Sequence, residues 1–532
     1  MNIAHVLEDQ VRQRGDAPAF VEMHRGRERR VTFRELSSAS ARIAYQLAGR
    51  GISSGDSVLV LHGMSAEFYA FLIALFRVGA VAMIVDPSAG RTFVERCLNE
   101  HPPKALFGGM KAQLLRFRIP ALRRIGLSIC TGPWPGALRI SLRDRGPARD
   151  TIASNDESSP ALITFTSGST GAPKAAVRTH GFLLAQHRAL QKSLHHRPGA
   201  TDMTTLPIFA LANLASGITS IFPDADMRRP GHIAPRPVLR QLERLAVTTM
   251  AASPAFVSCL TAECRRSGER IDRLQRVFMG GAPVFPEDLR RAQESFPRAE
   301  IIAVYGSTEA EPMAEITLSS ISEADFQSMA QGQGLLAGRP VASIALRILR
   351  DQWGMPISPL DADHFNSLCL GAAEIGEIVV SGEHVLRGYL DGKGDSENKF
   401  CVDGTVWHRT GDLGSLDREG RLWLMGQASA AIKDNRGVVY PFAVECAARQ
   451  ISGVHRAAIL VVEGRRVMAI EAQSRHAIQI VREQMAWANL DEIRNLRAIP
   501  TDKRHNAKVD YVELRRMLAD HKRSNINSRC GR

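Results

Sequence analysis

The residues best suited to chemistry form the run Ile163-Thr164-Phe165-Thr166-Ser167-Gly168-Ser169-Thr170-Gly171-Ala172-Pro173-Lys174. A short apolar stretch gives way to hydroxyls and glycines and ends in a lysine. Such a loop suits a triphosphate. Glycines let backbone N–H groups approach phosphate oxygens, hydroxyls add donors, and Lys174 adds a cation. The spacing is not the G-x-x-x-x-G-K-[ST] of the common P-loop. A plain Ser/Gly linker would need neither the preceding strand nor the ordered T-S-G-S-T-G-x-P-K string. Four further segments follow in order: Tyr305-Gly306-Ser307-Thr308-Glu309, Trp407-His408-Arg409-Thr410-Gly411-Asp412, the stretch 426–441, and the lysine-terminated stretch 500–508; Gly280-Gly281-Ala282-Pro283 is a further loop at a strand end.

These segments need a scaffold, and the pattern around them predicts one. In the first 150 residues, strand-like runs at 31–33, 58–61 and 81–85 alternate with helical stretches such as 67–78. The alternation continues through strands predicted at 161–165, 248–252, 276–279 and 301–304. It implies mostly parallel sheets layered with helices, where ligands bind at the carboxyl ends of strands. The loops at 166–174, 280–283 and 305–309 are therefore expected to converge on one crevice. Shorter strands near 347–349, 376–381, 388–389 and 421–425 suggest a small β-rich subdomain over about 346–425. The remainder reads as an α+β module with strands near 457–462 and 466–472 and a terminal helix near 510–521. The expected fold class is α/β: a large N-terminal domain, 1–426, and a small separate α+β domain, 427–532.

Bulk properties narrow the function. At 532 residues the chain exceeds one ordinary core. Lys+Arg 68 against Asp+Glu 55 gives a net charge of +13, carried largely by scattered arginines. A solvated basic surface accounts for it; attraction to an anionic membrane, an acidic carrier protein or polyphosphate is the functional alternative. No compact basic motif with interleaved aromatics points to nucleic acid. Eight cysteines without a C-x-x-C pair argue against zinc and redox motifs and for a reduced, cytoplasmic setting. Residues 1–12 are charged and have no apolar core, so no signal peptide is expected. The most apolar stretch, 68–85, holds Arg77 and Gly79. It reads as a buried helix followed by a strand, and no transmembrane segment is expected.

Taken in order, the segments resemble the AMP-forming adenylating superfamily of acyl-CoA synthetases, peptide-synthetase adenylation domains and luciferases, over nearly the whole length. The resemblance also includes Phe76-Arg77-Val78-Gly79-Ala80 and Asp86-Pro87. It implies ATP and Mg²⁺. Thr166, Ser167, Gly168, Ser169, Thr170, Gly171 and Lys174 would orient the β- and γ-phosphates. Gly281, Ala282 and Pro283 would flank adenine, on which Tyr305, followed by Gly306, would pack. Thr308 would contact phosphate, Glu309 would hold Mg²⁺, Asp412 would accept the ribose hydroxyls, and Lys508 would be the catalytic lysine of a mobile lid, 427–532.

The finer texture is similar to the olefin-pathway β-lactone synthetases, long grouped with fatty-acid–CoA ligases. The carrying stretches are 206–211, 221–230, 305–313 (YGSTEAEPM) and 504–508. Typical acyl-CoA synthetases carry histidine at the place of Ala210 and Ser/Thr-Gly at that of Asn506-Ala507. The resemblance implies a β-hydroxy fatty acid closed to a β-lactone through an acyl-adenylate. It also implies pathway partners: a thiolase-like condensing enzyme, a reductase and a decarboxylase. A ligase joining the acid to CoA or a carrier protein is the alternative. One of another class is a nucleotide- or acyl-binding protein without turnover. The superfamily's usual Gly-Arg hinge is here Gly426-Gln427, with Lys433 or Arg436 as possible substitutes for the missing charge. His180, His408 and His505 are the chemically suitable general bases, although each also suits a structural role.

Overall fold

The computed structural model describes residues 1–24, 26–167, 173–195, 197–502 and 508–519. Two large sheets carry the N-terminal part. In the first, seven strands lie in the spatial order Leu138–Arg139, Leu127–Cys130, Ala105–Gly108, Ser57–Leu61, Val81–Ile84, Pro160–Ser167 and Pro173–Thr179. All neighbours are parallel except the last pair, the hairpin that flanks the phosphate loop. The helix between Ser57–Leu61 and Val81–Ile84 shows why the apolar stretch is no membrane span. Ser65 caps Ala66–Val78 by accepting from the Phe68 N–H, and Gly79 ends it in a left-handed turn at φ 76°. Every residue of that helix except Glu67 is buried. No helix among the described residues is long and apolar enough to cross a membrane.

Arg77 sits inside this core. Its guanidinium is bound by the Glu8 carboxylate, the Ser37 hydroxyl and, through Nε at 2.9 Å, the Ser40 hydroxyl. Upstream, Arg27–Thr32 leads into the helix Phe33–Gly49 through a reciprocal cap. Thr32 accepts from the Glu35 N–H, and Glu35 accepts from the Thr32 N–H.

The second sheet holds fourteen strands. Its parallel half runs through Pro18–His24, Thr219–Ile221, Thr201–Thr204, Thr249–Ala252, Arg276–Met279 and Glu300–Ser307. From Glu300–Ser307 the pairing turns antiparallel through Ala310–Thr317, Leu335–Pro340, Leu422–Gln427, Thr405–Leu416, Gly376–Ser381 and Ala345–Leu349. The β-rich region expected at 346–425 thus continues the same hydrogen-bonded ladder. Composition marks its short strands, but pairing across a sheet is a long-range contact that local pattern does not encode. Gly388 and Tyr389 form no strand; Tyr389 makes an isolated bridge to Ala176.

The C-terminal part packs Val454–Val462, Arg465–Ala472 and Glu492–Asn495 into a small sheet. Helices Pro441–Arg449 and Arg475–Gln484 and a helix over residues 511–519 accompany it. One apolar cluster around Ile459 and Met468 and another around Leu460 and Leu514 give it its own core. It is tied to the larger part by Cys446, which sits in the core of that part, and by Arg449, whose guanidinium lies 3.0 Å from Asp288 and 4.0 Å over the Phe285 ring.

Truncating Arg77 to alanine leaves Glu8, Ser37 and Ser40 without their shared donor inside the core. The expected loss is about 3 kcal/mol, read as a fall in the first thermal transition. A melting profile unchanged from wild type would show that the buried cluster adds no net stability.

Candidate functional site

The site forms where strand ends of the two sheets meet. Thr166, at the end of Pro160–Ser167, is the ladder partner of Lys174 across the phosphate-loop hairpin. The loop residues Gly168, Ser169, Thr170 and Gly171 lie outside the described residues, as do Asn506 and Ala507. Ser167 ends its strand. The Thr166 hydroxyl is 3.5 Å from Glu309 Oε1, which also accepts from the Tyr389 hydroxyl at 2.9 Å. The phosphate-loop strand and the Tyr305–Glu309 turn therefore converge as their spacing implied.

Thr308 and Glu309 are held through their backbone. The Thr308 carbonyl accepts from Arg178 at 2.9 Å, and the Glu309 carbonyl accepts from the Leu386 N–H at 2.7 Å. Gly306 must be small. A Cβ there would fall 3.0 Å from Glu311 Cγ and 3.2 Å from the Ala310 carbonyl oxygen. Gly281, Ala282 and Pro283 follow Arg276–Met279, the strand beside Glu300–Ser307, and are partly exposed at the same sheet edge.

Tyr305 and Asp412, remote in sequence, touch. The phenol donates to Asp412 Oδ2 at 2.8 Å. Burial raises the Asp412 carboxyl above the usual range, while the Tyr305 hydrogen bond and the Lys508 charge pull it back. Asp412 is also the cross-strand partner of Gln427. Gln427 is exposed. The expected substitutes for a hinge arginine are committed elsewhere: Lys433 pairs with Asp351, and Arg436 with Asp434 and Asp491. A neutral amide thus stands at the hinge.

Lys508 is exposed, its N–H donating to Asp502 Oδ1 at 3.1 Å and its carbonyl accepting from the Asp502 N–H. Its charge acts on Asp412 and on Glu311, both in the larger part. The C-terminal part is therefore seated with its lysine toward the cleft. Lys174 is buried and lies 2.6 Å from Glu397, with its ammonium 5.9 Å from the Tyr389 ring.

Two charged residues of the site escape sequence reasoning. Lys399 is buried, donates to the Leu386 carbonyl and lies 5.6 Å from the Tyr389 ring. Burial pushes its ammonium down to about 8, against the pull of Glu309 and Asp395. Glu311 packs over Gly306, and burial pushes its carboxyl up to about 7 despite the Arg178 and Lys508 charges. The only local signal was a second acid two positions after Glu309. Two of the candidate histidines, His180 and His408, are buried. His180 Nδ1 accepts from the Ile3 N–H and burial holds it down at about 4; His408 is fully enclosed, its Nδ1 against the Asn398 carbonyl, and lies well below its usual value. His505 lies outside the described residues.

Two apolar stretches, near Phe209 and near Phe256, lie in different clusters. Phe209 and Ala212 face Leu190, Phe278 and Val304 beside the Tyr305 strand, whereas Phe256, Val257 and Leu260 belong to the central core. A small pocket between Leu190, Ile208, Leu211 and Ala212 holds only about 10 Å³, at the margin for one water. No cluster of three or more metal-ligating side chains occurs among the described residues. A lone Glu309 carboxylate beside the Thr166 hydroxyl still suits Mg²⁺, which keeps most of its waters and leans on substrate phosphates.

The Thr166–Lys174 hairpin, the Tyr305–Asp412 pair and Lys508 of the small C-terminal part gather at the strand ends of two layered sheets, where open α/β sheets bind ligands. The chain belongs to the AMP-binding enzyme family, whose model matches residues 7–390. It is 31% identical over 513 residues to an olefin β-lactone synthetase of Stenotrophomonas maltophilia, covering 91% of this chain and 90% of that one. It is 30% identical over 514 residues to the same enzyme of Xanthomonas campestris, with the same coverage. Among solved structures, an amide bond synthetase from Marinactinospora thermotolerans shares the fold, with a TM-score of 0.79 at 21% identity over 97% of this chain and 99% of that one. The protein is an AMP-forming ligase or synthetase that adenylates a small-molecule acid with ATP.

Tyr305→Phe removes the donor to Asp412 and is expected to weaken ATP binding roughly tenfold, about 1.4 kcal/mol. Calorimetric titration checks this; unchanged affinity would show that the pair does not position the nucleotide.

Proposed function

We propose that the enzyme converts a β-hydroxy fatty acid to a β-lactone, releasing AMP and pyrophosphate. The observation that carries this reading is the likeness to olefin β-lactone synthetases, which extends over nine-tenths of both chains. Ala210, where CoA-forming relatives usually carry histidine, agrees with it. Transfer to CoA or a carrier protein is the alternative outcome. Thiolase-like, reductase and decarboxylase partners belong to the proposal.

In the first step a carboxylate oxygen of the substrate attacks the α-phosphorus, and pyrophosphate leaves. Lys508 neutralises charge developing at the phosphorus, and Thr308 and the loop 166–174 hold the phosphates. Asp412 and Tyr305 orient the ribose and adenine, with Gly281, Ala282 and Pro283 alongside. Glu309, with the Thr166 hydroxyl, would hold Mg²⁺, which supplies charge neutralisation on the departing pyrophosphate. Residues 427–532 act as the lid, hinged near 426–429, and shield the acyl-adenylate from water.

In the second step the β-hydroxyl oxygen attacks the activated carbonyl carbon, the bond to the phosphate oxygen breaks, and AMP leaves. The hydroxyl proton passes to Glu311. This carboxyl packs at Gly306 beside Tyr305 and has the raised affinity a base needs near neutrality. Internal attack carries a high effective concentration, so the site needs mainly to fold the chain and exclude water.

Mass spectrometry after incubation with Mg-ATP and β-hydroxy fatty acids tests the reading. A CoA-independent product lighter than the acid by one water is expected; an acyl-CoA formed only with CoA would overturn it. Lys508→Ala should slow pyrophosphate release by about 10²–10³-fold. Gln427→Arg should raise it, and an unchanged rate would show that the neutral hinge does not limit adenylation. Glu311 must be ionised to accept a proton, so lactone closure should fall as pH drops through about 7. Glu311→Gln should slow closure at all pH and flatten that profile while adenylation persists; an unaltered profile would remove Glu311 from the mechanism.

A further inference from the structure

Residues 101–143 hold eight lysines and arginines and no acidic residue. Within this stretch the helix Met110–Leu114 and the turn Leu115–Phe117 put two apolar sets on opposite sides. Ala112, Leu115 and Ile119 face the core. Met110, Leu114 and Phe117, spaced i, i+4, i+7 on one face, stand out into solvent at 51%, 52% and 66% exposure. The core already has its apolar partners, so this outward set is surplus to folding. The Phe117 ring lies 6.4 Å from that of Trp134, and Met110 lies against Gly132, so a second loop extends the patch.

Of the eight cations, Lys104 pairs with Asp56 at 2.7 Å, but those nearest the apolar set are not paired. Arg123 donates to the Arg116 and Phe117 carbonyls, Arg116 to the Ile125 carbonyl, and Arg124 to the Asn99 amide oxygen. Lys111 acts on Asp226, which is already paired with Arg228. Among the described residues no carboxylate forms an ion pair with Lys111, Arg116, Arg118, Arg123 or Arg124. The patch also has a telling place. Ala105–Gly108 and Leu127–Cys130, which precede its two loops, run parallel to Pro160–Ser167. It therefore leaves the same sheet edge as the phosphate loop, three strand spacings or about 15 Å along the sheet from it.

We propose that this face docks on an anionic lipid bilayer, with Met110, Leu114 and Phe117 entering the acyl boundary and the surrounding cations meeting headgroup phosphates. Apolar side chains ringed by uncompensated arginines complement a surface that is apolar below and anionic above. An acidic protein or a nucleic acid would use the cations but not three bare apolar side chains. Docking by the edge that carries the phosphate loop brings the site close to membrane-borne fatty acids. The inference does not depend on whether the product is a lactone.

Co-sedimentation of the full chain with vesicles of phosphatidylcholine, with and without phosphatidylglycerol, tests it. Binding is expected only with the anionic lipid. Leu114→Ser/Phe117→Ser and Lys111→Glu/Arg118→Glu should each weaken it by about tenfold or more. All four positions are exposed, and ATP–pyrophosphate exchange with a short soluble acid should be unchanged, which controls for folding. No binding to anionic vesicles, or equal binding by both variants, overturns the proposal. So does loss in the charge variant alone with equal capture by heparin, which would make the face a general polyanion site.

Discussion

The site depends on how the Glu309 carboxylate is held. It is only partly open to water, and a carboxylate in that position needs donors. The Tyr389 phenol and the Thr166 hydroxyl both approach Oε1, one from the segment after Gly376–Ser381 and the other from the seven-stranded sheet. The Glu309 backbone carbonyl meanwhile takes the Leu386 N–H. Two chain segments, 386–389 and the end of Pro160–Ser167, therefore close around one acid.

Around that hub the charges are arranged in layers. Lys174 and Lys399 lie buried near the Tyr389 ring, one matched by Glu397 and the other by a backbone carbonyl. Lys508 comes from the C-terminal part and is exposed. The buried lysines are integral to the cleft wall, whereas the exposed one rides on a part with its own core. Arg449 lies over Phe285 and beside Asp288, and the C-terminal part carries two apolar clusters of its own.

Gln427 pairs across the ladder with Asp412, so its backbone helps fix that strand whatever side chain stands there. The amide can donate to a hydroxyl but brings no charge. The cleft then relies on Lys508 for mobile positive charge, since Lys433 and Arg436 are drawn to acids away from it.

Much was legible in the sequence because it is local. Ser65 and Gly79 delimit a helix, Thr32 and Glu35 cap another, and the ordered loop strings mark strand ends where ligands bind. These devices act over a few residues and leave a readable spacing. The mostly parallel layered architecture follows from strand–helix alternation for the same reason. Other features are contacts between residues more than a hundred positions apart, or nearly so. The Tyr305–Asp412 hydrogen bond, the Tyr389–Glu309 bond, the fusion of the β-rich region into the large sheet and the surroundings of Lys399 and Glu311 have no linear signature. Histidines 180 and 408 show the converse, since their side-chain chemistry allowed a base and only burial ruled it out. The sequence by itself determined which groups were available and on which element ends they sat. The tertiary structure alone decided which of them met and which kept their charge, because burial and pairing are set by neighbours that the chain brings together only on folding.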